Sequence, residues 1–234
     1  MTVLLKIGGS LLYDENENLL IDRIKSYARI IIDYPDVRAV VCGGGLIARK
    51  FIDAGRELGS KEYLLDMMGI NVSRLNAQLL ITALGKEAYQ YPIISINDAA
   101  KMNTFTDRIL VAGGFEPGQS TTTVAMQFAE ACDIDKILIL TNVDGVYDKN
   151  PKNHADAKKF DRIALNELEE IVVKSGGDNQ SSAGEYRIFD ALSAQLFKRN
   201  DFQVKLMNGS KYDEIREILD LDFSDSDIGT LIKK

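Results

Sequence analysis

Four stretches of the sequence hold residues that could do chemistry. Lys6 lies in the apolar run "TVLLKI" (2–7), just ahead of Gly8, Gly9 and Ser10. Gly43, Gly44 and Gly45 follow "VRAVVC" (37–42), with Arg49 shortly after. "GGFEPGQSTTTVA" (113–125) places glycines and a proline before Ser120, Thr121, Thr122 and Thr123, and "TNVDGVYDKNPK" (141–152) offers Thr141, Asn142, Asp144, Tyr147 and Lys149. Such residues suit the holding of anions. Glycine lets backbone N–H groups come close to a ligand, and the first N–H groups of a helix are unpaired at its positive end. A lysine inside an apolar strand is costly to bury without an anionic partner. Each feature has a plainer reading: a tight turn, a helix cap, an Asp-Gly hairpin, a surface arginine. Repetition of the glycine cluster at equivalent places favours a ligand. Neither common phosphate fingerprint is present, since no G-x-x-x-x-G-K-S/T occurs and no G-x-G-x-x-G follows the first apolar run.

The elements that must position these residues alternate in β-α order. Strands are expected at 2–7, 37–42, 108–113, 136–141 and 203–208, with "GTLIKK" (229–234) as a final edge strand. Helices are expected at 19–34, stopped by Pro35, and at 46–58. A long one over 63–85 ends at Gly85, and others start at the hydroxyl run after 120 and lie within 164–173, 188–199 and 211–219. "KSGGDNQSSAGEY" (174–186) reads as a loop. The near-continuous apolar strands predict a three-layer α/β sandwich, a mainly parallel open sheet with helices on both faces. Ligands of such sheets collect beyond the carboxyl ends of the strands, where the glycine clusters fall.

Composition narrows the partners. The formal net charge of −7 argues against nucleic acid, which wants a basic face. No apolar run approaches the length of a membrane span, and no charged-then-apolar leader opens the chain. Cys42 and Cys132 lack metal-type spacing and read as small core residues in a reducing, cytoplasmic setting. The single histidine, His154, lies in a polar stretch, which disfavours a histidine triad or a zinc site.

Taken together, "KIGGS", "CGGGLIARKFIDAGRELG", "LDMMGINVSRLNAQLL", "GGFEPGQSTTTVAMQFAE", "TNVDGVYDKNPKNHADAKKF" and "SAGEYRIFDALSAQLFKR" resemble the amino-acid-kinase superfamily, and within it the archaeal type of uridylate (UMP) kinase. The resemblance runs over nearly the whole chain. "TNVDGVY" is shared across the superfamily, whereas "LDMMGINVSRLNA" with "GGFEPGQST" points to UMP. It implies one domain over 1–234, its N-terminal half mainly for UMP and its C-terminal half mainly for ATP. The implied reaction moves the γ-phosphoryl group of ATP to UMP, with Mg²⁺ on the ATP phosphates and no metal-ligating side chains.

By position, the resemblance implies that Lys6 stabilises the transferring group while Gly8, Gly9 and Ser10 cradle ATP phosphates. Gly44 and Gly45 would lie where the phosphates of the two substrates meet, with Arg49 as a clamp. Asp66 would accept from the UMP ribose, and Gly114, Phe115, Glu116, Pro117, Gly118, Gln119 and Ser120 would wrap UMP, with Thr121 near its phosphate. Thr141, Asn142, Tyr147 and Asn150 would line the adenosine side, and Asp144 and Asp190 would orient the cations. A homohexamer built from dimers is also implied. Many relatives carry aspartate where Thr122 and Asn150 stand. Two alternatives stay open: a phosphotransferase of the same superfamily with another acceptor, such as a small acid or an isoprenoid phosphate, and a non-catalytic nucleotide-binding protein on the same fold.

Overall fold

The structure is a computed structural model that describes residues 2–149, 151, 154–174 and 189–234. The loop expected at 174–186 therefore falls almost wholly outside the described residues, as does Asn150. Among the described residues, seven strands form one sheet: β1 (Val3–Ile7), β2 (Val37–Cys42), β3 (Leu110–Ala112), β4 (Lys136–Thr141), β5 (Arg162–Ala164), β6 (Gln203–Asn208) and β7 (Thr230–Lys233). Their order is β3-β2-β1-β4-β6-β7-β5. The five strands from β3 to β6 run parallel, and β7 turns antiparallel to β6.

Among the described residues, eight α-helices surround the sheet: α1 (Ile21–Asp33), α2 (Gly45–Glu57), α3 (Glu62–Leu84), α4 (Ile96–Phe105), α5 (Thr121–Ala131), α6 (Leu165–Lys174), α7 (Ala191–Arg199) and α8 (Tyr212–Asp220). Alternation along the strands separates two cores. Leu4, Val41, Ile139 and Leu206 pack with α4, α5, α6 and α7. Val3, Leu5, Ile7, Leu138 and Met207 pack with α1, α3 and α8. Each aliphatic side chain fully buried in these layers contributes about 1.5–3 kcal/mol.

Lys6 shares the face of Leu4, the side of the sheet that α5 covers. It lies on a central strand and is only 3% exposed, so it is not an edge lysine reaching solvent. The sheet departs from expectation at its other end. "GTLIKK" does not form an edge: β7 is enclosed between β6 and β5, with Leu231 and Ile232 buried. Edge position falls to β5, three residues too short to show a strand period. Helix α4 was also unexpected; Ser95 caps it by accepting the Asp98 N–H at 3.1 Å. The thiols of Cys42 and Cys132 are buried and unpaired, and burial pushes them up to about 12 and about 11.

Candidate active site

The five parallel strands end side by side, and four of them are followed by glycine: Gly8 after β1, Gly43 after β2, Gly113 after β3 and Gly209 after β6. Between β1 and β4 the strand order reverses, the place where open α/β sheets leave a crevice. On one side of that switch point the first two glycine loops interlock. A Cβ on Gly9 would stand 2.2 Å from the Gly45 nitrogen, and one on Gly45 would stand 2.4 Å from the Gly9 carbonyl carbon. Gly45 also has φ of +68°, a conformation that favours glycine. Any side chain at either position would push the loops apart. Helix α2 begins at this contact with no side-chain cap, so its first N–H groups open towards the crevice.

Helix α3 fixes these loops with polar side chains set among apolar ones. Asn76, 1% exposed, donates from Nδ2 to the carbonyls of Gly43 at 2.8 Å and Gly44 at 3.4 Å. Its Oδ1 accepts from the Tyr13 hydroxyl at 2.6 Å. Ser73 accepts the Gly114 N–H at 2.7 Å and donates to the Ile70 carbonyl at 2.7 Å. Arg74 donates to the Gly114 and Phe115 carbonyls, at 3.0 and 3.1 Å, and burial holds its pKa below the usual arginine value. Asp66 accepts the Gly118 N–H at 2.8 Å through Oδ2. The loop 113–120 is thereby tied to α3 along its length.

The four hydroxyls at the start of α5 divide their work. Ser120 caps the helix by accepting the Thr123 N–H at 3.1 Å. Thr123, fully buried, donates to Asp190 Oδ1 at 2.6 Å. Thr121 and Thr122 line the cleft. Asp190 also accepts the N–H groups of Ser120 at 3.0 Å and Ser193 at 2.7 Å, so one carboxylate joins the starts of α5 and α7. Burial pushes its pKa up, but the hydrogen bonds from Ser120, Thr123 and Ser193 outweigh this and hold it below the usual carboxylate range.

A single cleft gathers much of what the sequence singled out. Lys6 and Arg49 line it together with Gly8, Gly9 and Ser10. Gly44 and Gly45 form its floor, and Asp66, Gly114, Glu116, Gln119, Ser120 and Thr121 form the facing wall. The cations Lys6 and Arg49 thus share one crevice with the helix starts of α2 and α5, an arrangement fitted to a multiply charged anion. Other residues lie apart. Phe115 is 4% exposed and packs on Phe128, ring centroids 6.3 Å apart. Pro117 and Gly118 belong to the turn that Asp66 holds, and Gly118 has φ of +76°.

Thr141, at the end of β4, and Asn142, Asp144 and Tyr147 beyond it stand on the other side of the switch point. Asp144 accepts from Asn208 Nδ2 at 2.9 Å and pairs with Lys211 at 3.2 Å. The Asn208 hydrogen bond, with help from Lys211, holds its pKa below the usual range despite some burial. His154 is exposed. Ser73, Arg74 and Asn76 escaped the sequence reading. Their one signal was polarity within a largely apolar helix.

The sequence matches the amino acid kinase family over residues 1–208. It is 36% identical to the uridylate kinase of Sulfurisphaera tokodaii over 234 residues, covering 100% of this chain and 99% of that protein. It is 38% identical to the uridylate kinase of Methanobrevibacter smithii over 211 residues, covering 89% and 90%. The fold matches the crystal structure of the uridylate kinase from Archaeoglobus fulgidus with a TM-score of 0.80, at 32% identity, covering 99% of this chain and 100% of that one. The chain belongs to the amino acid kinase family.

Proposed function

We propose that the protein is a UMP kinase of pyrimidine nucleotide synthesis, transferring the γ-phosphoryl group of ATP to UMP to give ADP and UDP. The observation that carries this reading is the convergence of Lys6, Arg49, two interlocked glycine loops and the α5 helix start on one cleft, with Asp66 on its far wall. The full-length likeness to uridylate kinases supports the choice of acceptor.

In this reading UMP enters between α3 and loop 114–121, its ribose facing Asp66 and its phosphate facing Thr121 and the N–H groups of α2. ATP approaches from the β4 side, past Thr141, Asn142 and Tyr147, with its terminal phosphates towards Gly8, Gly9 and Ser10. The C-terminal half would thus serve mainly the donor and the N-terminal half mainly the acceptor. The acceptor phosphate is already an anion, so the protein's task is alignment and charge stabilisation. Lys6, held at the end of a central strand, stabilises charge on the group in flight, and Arg49 draws the two phosphates together. Mg²⁺ bound with the ATP phosphates would supply further charge neutralisation. Asp144, whose carboxylate is partly open to solvent, is the side chain suited to hold that ion's water shell on the donor side. Asp190 acts at one remove, by holding the α5 start.

We also propose a cytoplasmic homohexamer; the exposed apolar side chains Phe51, Leu64 and Leu75 on α2 and α3 support an interface between copies. The activity is tested by ADP release from Mg-ATP with UMP, CMP, dUMP, AMP and isopentenyl phosphate offered singly. A strong preference for UMP is expected. Turnover with another acceptor would reassign the wall at Asp66 and 114–121, and nucleotide binding without turnover would replace catalysis with storage.

A further inference from the structure

The donor side has a support that no glycine loop supplies. Past β4 the chain doubles back as a short ladder: Tyr147 pairs antiparallel with Lys159, and the Phe160 N–H donates to the Val146 carbonyl at 2.9 Å. Thr230, the first residue of β7 and wholly buried, bridges the two arms of this ladder. Its hydroxyl oxygen accepts the Val146 N–H at 2.9 Å and donates its proton to the Phe160 carbonyl. A Cβ on Gly145 would come within 2.5 Å of the same hydroxyl, so glycine leaves room for this contact. Lys159 adds a second tie, donating to the carbonyls of Asp227 at 2.9 Å and Gly229 at 3.0 Å.

The segment that presents Thr230 is itself pinned to the sheet. Buried Lys205 on β6 donates to the Phe223 and Ser226 carbonyls at 2.9 and 2.6 Å. Lys136 on β4 pairs with Asp222 at 3.0 Å and lies 5.3 Å from the centre of the Phe223 ring. Two strand lysines thus fix residues 222–226, and the chain then delivers Thr230 to the ladder.

We propose that the C-terminal segment 222–230 sets the conformation of the donor loop 144–147 through the Thr230 hydroxyl, making Thr230 a positioning residue for ATP. This rests on the kinase reading above for the assignment of loop 141–147 to ATP. Valine has the shape of threonine but can neither accept from Val146 nor donate to Phe160, whereas serine can do both. Thr230→Val is therefore expected to raise the KM for ATP about tenfold while the KM for UMP stays within about twofold, and Thr230→Ser should restore the wild-type ATP value. An equal rise in both constants, or an unchanged ATP KM, would overturn the proposal.

Should the valine variant not fold, Lys159→Met removes the second tie from a partly exposed side chain and should raise the ATP KM about threefold. No change there would count against the strut. Calorimetric titration of wild type and variants with Mg-AMP-PNP reads the same effect without turnover. Absence of UMP-dependent ADP release from wild type would reject the kinase reading. The Thr230 inference would still be decided by whether AMP-PNP affinity falls in T230V and returns in T230S.

Discussion

The two sides of the switch point are built by different means. On the acceptor side, glycine loops lie backbone against backbone, and side chains of one long helix, α3, hold them from behind. On the donor side, the loop is held by side chains from far along the sequence, Asn208, Lys211 and Thr230, and Lys159 of its own ladder is tied to the C-terminal segment. The first construction fixes N–H groups with little freedom, as a phosphate cradle needs. The second leaves the loop dependent on individual hydrogen bonds, each contributing about 1 kcal/mol. Substitutions should therefore separate the two sides, with acceptor-side changes acting on UMP and donor-side changes on ATP.

The largest expected effect belongs to Lys6, where the two sides meet. Lys6→Met should lower turnover about a thousandfold while UMP binding, followed by calorimetry, persists. Near-normal turnover would remove Lys6 from the chemistry. Gly9→Ala should come next. Its Cβ would meet backbone at 2.2 Å, and the loops must part, costing about 3 kcal/mol in chemical denaturation and weakening both ATP, at the Gly8–Ser10 turn, and UMP, at Gly44 and Gly45. Asn76→Ala leaves the Gly43 carbonyl without its donor and should cost about 2 kcal/mol, with the KM for UMP rising and that for ATP unmoved.

The smallest effect concerns Asp222 beneath the donor strut. Hydrogen bonding from the Ser224 N–H, aided by Lys136, lowers its pKa from 3.8 to about 2. Its contribution is thus present above pH 3.8 and lost as the pH falls through about 2. Allowing for solvent screening, this is on the order of 1 kcal/mol. Asp222→Asn should lower stability at pH 6 by that amount and flatten its fall between pH 4 and 2, as read by thermal melts.

The same contrast governs how much could be read from sequence. The strands β1, β2, β4 and β6 were legible because each is a mostly apolar run, buried on both faces. Glycines at strand ends, Lys6 directly ahead of one such cluster, and the hydroxyl run marked the cleft because they fall together at the carboxyl ends of the strands. The supports were not legible. Asn76 and Ser73 look like ordinary polar residues on a helix until the loops they hold are seen in three dimensions. Thr230 lies 84 residues from the Val146 N–H it accepts, and no local pattern announces that contact. "GTLIKK" read as a strand, but its enclosed place in the sheet depends on β5, whose three residues carry no periodic signal.

The division into an acceptor cleft and a donor loop is tested most directly by amide hydrogen exchange with each ligand alone. UMP should slow exchange at 43–46 and 114–123 and leave 142–149 unchanged. Mg-AMP-PNP should protect 142–149 and the Gly8–Ser10 turn, leaving 114–123 as it was. Protection of 142–149 by UMP, with none at 114–123, would contradict the account.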